Sequence, residues 1–395
     1  MTYPRLFAAL ALLVAVLGTG ACQTLPRDSF TAEHLAQASP PYRYDFNDRA
    51  SLARFEADRT RILSGSDSDF DLLALSGGGA NGAFGAGVVI GWRDRPEFDI
   101  VTGVSTGALI APFVFGGHRF DAALERAYTS GQADGLLKPR GLLALFLPGV
   151  FDPQPLRDLV LNNVTDELIR AVAAEHAKGR RLYVATTSLD TQTQIVWDMG
   201  ALASRADAQS RLLFVNVLIA SASIPGAFPP VPLTFGPEGD TVSELHVDGG
   251  ATANFLVAPQ QVMIAQTARP APEQNGRLWV LINGSPNAVF KVATISGARI
   301  AERSFDTVLK AITRADLANV AQFARANSLE LQVAMLKDPD DDDALDFSRE
   351  NMARLFAMGR AAQGQDEAFE TIVSAEGGLR GQPAGAPGVN TGQAW

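Results

Sequence analysis

Two glycine-punctuated turns set the frame for this chain. The first is Ser76-Gly77-Gly78-Gly79-Ala80-Asn81-Gly82 and the second is Gly103-Val104-Ser105-Thr106-Gly107. Each follows a short apolar run, 72–75 and 98–101, and each opens a stretch of small apolar residues. An apolar run closed by glycine and followed by such a stretch spells strand, tight turn, helix. Two such units in succession point to a sheet covered by helices.

The second turn has the form of a nucleophile elbow. Gly103 and Gly107 flank Ser105 at two residues on either side and remove the Cβ atoms that would block a sharp strand-to-helix turn. That turn lifts the Ser105 hydroxyl above the sheet, at the positive end of the next helix, where a developing anion is stabilised. A chance G-x-S-x-G competes in a chain with 36 glycines. The strand before it and the helix-like 108–115 after it weigh against chance.

The first turn invites a phosphate-binding reading, because Gly77, Gly79 and Gly82 match G-x-G-x-x-G. It lacks the Gly-Lys-Ser/Thr ending of a P-loop. No acid at the end of a second strand stands where a ribose would need one; that strand ends in Gly103-Val104-Ser105 instead. The better reading is an oxyanion hole built from the N–H groups near Gly78 and Gly79.

A serine hydroxyl needs a base, and the chain has four histidines: His34, His118, His176 and His246. Only His246 ends an apolar strand, and Asp248-Gly249-Gly250 follows two residues later. Residues i and i+2 of a strand share a face, so both side chains can approach one site. The Gly249-Gly250 step ends the strand with the carboxylate over the sheet edge. Asp248 is favoured as the direct base and His246 as a strand residue; a triad through His246 is the alternative. A carboxylate can serve as base if apolar surroundings raise its pKa.

Four ordered blocks resemble the patatin-like phospholipase family. They are Ser-Gly-Gly-Gly-Ala-Asn-Gly-Ala-Phe at 76–84, Gly-Val-Ser-Thr-Gly-Ala-Leu at 103–109, Ser221-Ala222-Ser223-Ile224-Pro225-Gly226-Ala227-Phe228-Pro229-Pro230, and Val-Asp-Gly-Gly at 247–250. The stretch 184–190 resembles a strand-end motif of the same enzymes, and the similarity runs from about residue 72 to about 259. The resemblance implies a Ser105–Asp248 dyad without a catalytic histidine, an oxyanion hole at Gly77–Gly79, and hydrolysis of lipid acyl esters. The family carries Arg or Lys where this chain has Asn81, a departure that bears on rate or head-group preference.

At the amino terminus, Arg5 precedes an apolar run over 6–17, then Gly18-Thr19-Gly20-Ala21-Cys22. About a dozen apolar residues are too few to span a bilayer and read as a signal peptide. Cys22, the single cysteine, resembles the lipidated residue of a bacterial lipobox, although Thr19 stands where Leu is commoner. Gln23 in place of Asp resembles an outer-membrane sorting signal. The expected location is the cell envelope, lipid-anchored in the outer membrane and facing the periplasm. A lone cysteine forms no disulfide within the chain, so stability rests on the core.

Composition allows that core, with 47% apolar and 19% charged residues. The net charge of −10 argues against nucleic acid and against electrostatic docking on anionic lipid. Membrane contact would come from the anchor and from apolar surface. Strands are expected at 70–75, 98–102, 181–187, 194–197, 244–247 and 278–282. Helices are expected at 82–93, 106–115, 155–178, 205–222, 298–327 and 348–360. Their alternation predicts a three-layer α/β/α fold with a mainly parallel central sheet. The division expected is signal peptide 1–21, anchored linker and lead-in 22–65, catalytic domain 66–290, helical extension 291–365 and a disordered tail over 366–395.

The apolar run 142–151 either lines an acyl pocket, touches lipid or packs in the core. The acidic residues Asp338 and Asp340 to Asp343 lack the spacing of a calcium loop and read as a solvated loop. Asp190 and Asp198 read as structural hydrogen-bonding residues. Together these features predict a serine acyl hydrolase of phospholipase A or lysophospholipase type, needing no metal and no organic cofactor. The alternatives are a lipid-anchored binding or scaffold protein with little turnover and an acyltransferase using the same acyl-enzyme.

Overall fold

In a computed structural model of the chain, the described residues are 27–65, 70–141, 148–268, 276–290, 292, 295, 297–337, 344–364 and 368–374. The expected signal peptide, Cys22, residues 142–147 of the apolar run, the acidic positions 338 and 340–343, and the tail beyond 374 lie outside them.

The chain opens with helix α1 (Ala32–Ala38), strand β1 (Arg43–Asp45) and helix α2 (Arg49–Gly65). Two βα units follow: β2 (Phe70–Leu75) with α3 (Gly82–Gly91), and β3 (Ile100–Val104) with α4 (Thr106–Gly116). Helices α5 (Asp121–Thr129), α6 (Gln154–Asn163) and α7 (Asp166–Ala177) lead to the hairpin β4 (Arg181–Ser188) and β5 (Thr193–Asp198). Next come α8 (Met199–Ala203), α9 (Ala208–Ser221), the hairpin β6 (Val231–Phe235) and β7 (Val242–Asp248), and α10 (Gln260–Ala268). Strand β8 (Gly276–Ile282), α11 (Gly297–Ala326), β9 (Glu330–Met335), α12 (Arg349–Gly364) and β10 (Phe369–Val373) complete the fold.

The sheet runs β1-β5-β4-β3-β2-β8-β9-β10, and its five central neighbours β4, β3, β2, β8 and β9 are parallel. One face carries a core with α3, α4, α7, α9 and α12; the other carries a core with α2 and α11. The three-layer expectation holds. No described helix is long and apolar enough to cross a membrane.

Three expectations change. The lead-in is part of the domain: β1 pairs with β5 at the sheet edge, and Arg43 is buried. The carboxy-terminal region is not a helical extension alone, because β9 and β10 join the same sheet, and β10 lies in the segment expected to be a disordered tail. The glycines of α3 and α12 explain the join. A Cβ at Gly87 would stand 2.1 Å from the Phe356 carbonyl oxygen, and one at Gly359 would stand 2.1 Å from that of Phe84. The two backbones therefore touch, which binds α12 to the catalytic layer. Lastly, the helix expected over 155–178 is two helices. The Thr165 side chain accepts the Leu168 N–H at 3.2 Å and starts α7 afresh.

A buried polar chain ties the lead-in to β7. Arg43 donates to both carboxylate oxygens of Glu244, at 3.0 and 2.8 Å. Ser188 donates to Glu244 at 2.6 Å, and His246 Nε2 lies 2.9 Å from it. His246 Nδ1 meets the Thr186 hydroxyl at 2.9 Å, and that oxygen accepts from Trp197 Nε1 at 2.9 Å. Burial pushes His246 down, so the ring is neutral at pH 7 and its Nε2–H donates to Glu244. Burial alone would push Glu244 up, but His246 and Arg43 outweigh it and hold the carboxylate below its ordinary range. Arg43→Ala would strand this ionised carboxylate, so the expected loss is about 3–5 kcal/mol of stability in urea unfolding. Wild-type stability in that variant would remove the structural weight given to the network.

Candidate active site

The decisive geometry lies where β7 meets β3. Strand β4 outruns β3: the last β3–β4 pair is Val104 with Ala185. Beyond it, β7 takes β3's place antiparallel on β4, pairing Thr186 with Asp248, Thr187 with Val247 and Ser188 with His246. Strands β3 and β7 therefore end head to head, and the two residues at the junction are Ser105 and Asp248. The Ser105 hydroxyl donates to Asp248 Oδ2 at 2.6 Å, with both residues buried.

Ser105 holds φ 54° and ψ −125°, a conformation that costs a non-glycine residue energy and persists only when its surroundings enforce it. Two contacts enforce it. The Ser105 N–H donates to Ser221 Oγ at 3.0 Å, and Ser221 donates onward to the Ala185 carbonyl at 2.7 Å. A Cβ at Gly107 would lie 2.4 Å from the Leu75 carbonyl oxygen, so α4 can start this close to β2 only through glycine. Gly103 and Gly82 meet equally close neighbours, Ala108 and Thr106.

Asp248 is set from three sides. Its N–H donates to the Ser223 carbonyl at 2.9 Å, and its Oδ1 accepts the Gly250 N–H at 2.7 Å. Gly249 packs against the Ala185 carbonyl, where a Cβ would come within 2.5 Å. Burial pushes the carboxyl up to about 7, against the hydrogen bonds from Ser105 and Gly250 that favour the ionised form.

The glycine turn lies beside Ser105, and its three amides differ. Gly77 N–H is already bonded to the Asn254 carbonyl at 2.9 Å. A Cβ on Gly77 would meet the Ser105 Cβ at 3.1 Å, so its contribution is space. The N–H groups of Gly78 and Gly79 have no acceptor among the described residues. Gly79 takes φ 56°, and a Cβ there would stand 2.1 Å from the Ala344 carbonyl oxygen. Asn283 fixes the turn from behind, donating its N–H to Ser76 Oγ at 2.8 Å and its side-chain amide to the Ser76 carbonyl at 2.7 Å. Asn81 is completely buried, and its N–H donates to the Gly78 carbonyl.

A cavity, partly open to solvent, begins at Ser105 and Gly79. Its wall is apolar, with Leu109, Phe113, Leu136, Leu156, Val160 and Phe228 among the lining residues. That lining has the apolar character of a small-ligand site. Phe151, from the described end of the apolar run, packs against Phe228 with ring centroids 6.1 Å apart. That end therefore backs the cavity wall.

The histidines lie elsewhere. His246 shares β7 with Asp248, but both ring nitrogens are engaged in the Glu244–Thr186 chain. His34 pairs with Asp240, His118 with Asp121, and His176 faces Asp198. Asp198 caps α8 through the Ala201 N–H, and Asp190 binds Arg27 and the Leu245 N–H, so both are structural as expected. Ser221, Ser223, Asn254 and Asn283 were assigned no role from sequence. The two serines fall in the 221–230 block, which was a signal; nothing local marked the asparagines.

Residues 73–259 match the family model described as patatin-like phospholipase. The chain carries a patatin-like phospholipase domain. Membership of that domain supports lipid acyl-ester hydrolysis as the activity class. Among solved structures, the chain is similar to VipD from Legionella pneumophila, at 13% identity, covering 78% of this chain and 68% of that one with a TM-score of 0.37. It is also similar to human GIVD cytosolic phospholipase A2 in complex with methyl gamma-linolenyl fluorophosphonate, at 10% identity, covering 87% of this chain and 65% of that one with a TM-score of 0.31. No curated protein sequence matches the chain. The patatin-like domain holds Ser105, Asp248, the glycine turn and the 221–230 block; α11, β9, α12 and β10 lie beyond its carboxyl end.

Proposed function

We propose that the chain is a serine acyl hydrolase of lipid esters, of phospholipase A or lysophospholipase type, working through a Ser105–Asp248 dyad. The observation that carries this reading is the 2.6 Å contact between the Ser105 hydroxyl and Asp248, at the mouth of an apolar cavity. The acyl chain enters the cavity and brings its ester carbonyl to Ser105. Ser105 Oγ attacks the carbonyl carbon as its proton passes to Asp248. The carbonyl oxygen becomes an oxyanion and takes the N–H groups of Gly78 and Gly79, helped by the amino end of α4. Collapse breaks the ester C–O bond, and Asp248 returns the proton to the departing alcohol. Water, losing a proton to Asp248, then attacks the acyl-enzyme; the acyl–Oγ bond breaks, Asp248 passes the proton to Ser105 Oγ, and the fatty acid leaves.

Gly77 drops out of the set of donors because its N–H is already bonded, and it remains as the residue that lets the turn approach Ser105. We further propose that Cys22 carries the lipid anchor in the outer membrane, facing the periplasm. The support is the leader pattern of the sequence. Arg27, five residues later, is held by Asp190, so a lipid on Cys22 would keep the domain within about 18 Å of its anchor point.

Reaction with a serine-directed fluorophosphonate tests the hydrolase reading against a binding protein of the same fold. The expected result is one covalent adduct, on Ser105, seen as a mass shift and lost in Ser105→Ala. An unreactive Ser105 would support the binding reading.

A further inference from the structure

Helix α11 passes beside the reaction centre at its middle. The Leu309 side chain lies 3.3 Å from where a Cβ on Gly250 would stand, and Thr313 accepts a hydrogen bond from the Asn254 side chain at 2.7 Å. The helix thus buries one face against the two segments that hold Asp248 and the glycine turn. Its opposite face is uncovered. Ile300, Ser304, Thr307, Val308, Ala311 and Ala315 are all exposed, at spacings that keep them on one side of a helix. Over 300–318 the exposed described residues include no carboxylate, in a chain with 43 acidic residues. Their one charge is Arg314, which donates to the Pro286 carbonyl. The acid on the flank, Asp306, is held by Arg303 and Lys310.

The segment entering this helix continues the surface. Phe290 is 95% exposed, Val292 81% and Ile295 96%. Single exposed apolar residues need no explanation, but several of them next in sequence to a helix face whose exposed described residues carry no carboxylate mark an interaction site. The tether points the same way. Asp190, which holds Arg27, follows β4 at its carboxyl end, the end of the parallel strands at which Ser105 stands.

We propose that Phe290 and the outer face of α11 form the surface by which this protein lies on a phospholipid bilayer. The proposal rests on the hydrolase reading for the identity of its partner, since an ester-cleaving site in a lipid surface needs its rim in that surface. The helix lies in the interface plane, with its apolar stripe among the acyl chains and Arg303 and Lys310 at head-group level. With Arg314 the one charge among the exposed described residues over 300–318, and a net charge of −10, the favoured surface is zwitterionic and the binding is insensitive to salt.

Cys22 is the only cysteine, which makes a site-specific test direct. In the full chain with Cys22→Ser, an environment-sensitive fluorophore is attached in turn at Phe290→Cys, Val308→Cys and Leu212→Cys. Leu212 is an exposed control on α9, in the opposite helical layer. With phosphatidylcholine vesicles, labels at 290 and 308 are expected to brighten several-fold and to be quenched by brominated lipid, while the label at 212 stays unchanged. The same result is expected with Ser105→Ala added, so a failed hydrolase reading leaves this readout intact. Unresponsive labels at 290 and 308, or an equal response at 212, would overturn the proposal. So would brightening with protein concentration in the absence of vesicles, which would make the face a contact between copies. As a second arm, the double variant Phe290→Asp, Val308→Asp should lose about tenfold or more of its turnover on phosphatidylcholine vesicles. It should keep its turnover of a soluble short-chain ester; equal loss on both substrates would refute a role in docking.

Discussion

Ser105→Ala is expected to lower ester turnover by about 10⁴-fold or more while the thermal unfolding midpoint stays nearly unchanged. The expectation follows from the mechanism: without Oγ there is no acyl-enzyme, and Asp248 can only help water attack from a position shaped for serine. The fold should survive because, among the described residues, the side chain's hydrogen-bond partner is Asp248, while the strained backbone at Ser105 is held by Ser221 and the adjoining glycines. Burial already raises Asp248, and the Ser105 hydroxyl opposes that rise. In the alanine variant the carboxyl should therefore titrate higher still. Steady-state assay of the purified variant on a soluble ester decides the matter. Turnover within tenfold of wild type would remove Ser105 from the chemistry.

Asp248→Asn should be nearly as severe, about 10³- to 10⁴-fold, because the amide cannot take the serine proton. The wild-type pH profile carries the same signature. The reactive form is the ionised carboxylate, and burial pushes its pKa up to about 7. The rate should therefore fall about tenfold per pH unit below pH 7 and level off above it. Stability should run the other way. A carboxyl whose folded pKa is raised contributes stability that is full below the unfolded value, near 4, and is lost as pH rises toward 7. Asn in its place removes that loss, so the variant should unfold at a higher temperature than wild type at pH 8, with the gain shrinking toward pH 4. An inactive variant with a higher midpoint is the expected trade of a functional charge for stability. His246→Ala provides the contrast: it should act through stability, by leaving Glu244 and Thr186 unpaired. An activity loss as deep as that of Asp248→Asn in a folded His246→Ala protein would restore the triad alternative.

The apolar cavity gives the reading a physical economy. Its apolar wall would shield an acyl chain from water, while the burial of Asp248 next to Ser105 raises the base. The Gly78 and Gly79 amides are fixed before substrate arrives, by Asn254 on one side and Asn283 on the other. Donors held in this way need no reorganisation as the oxyanion forms.

The amino-acid sequence alone determined the two strand–turn–helix units, the parallel core strands and the identity of the two side chains that meet. These are local properties. An apolar run, a glycine that permits a close approach and a small-residue helix carry their signal within about a dozen residues. It did not reveal that β7 runs antiparallel on the overhang of β4, which is what sets Asp248 end-on to Ser105. Nor did it reveal β9 and β10, the role of Arg43 in the lead-in, or the use of Gly77's amide by Asn254. Each of these depends on a partner far along the chain: Thr186 for Asp248, Gly276–Ile282 for β9, Glu244 for Arg43. Strand direction and amide pairing are settled by which backbone groups remain unpaired after the rest of the sheet has closed. That accounting exists only in three dimensions, so the tertiary structure decided the site's geometry while the sequence supplied its chemistry.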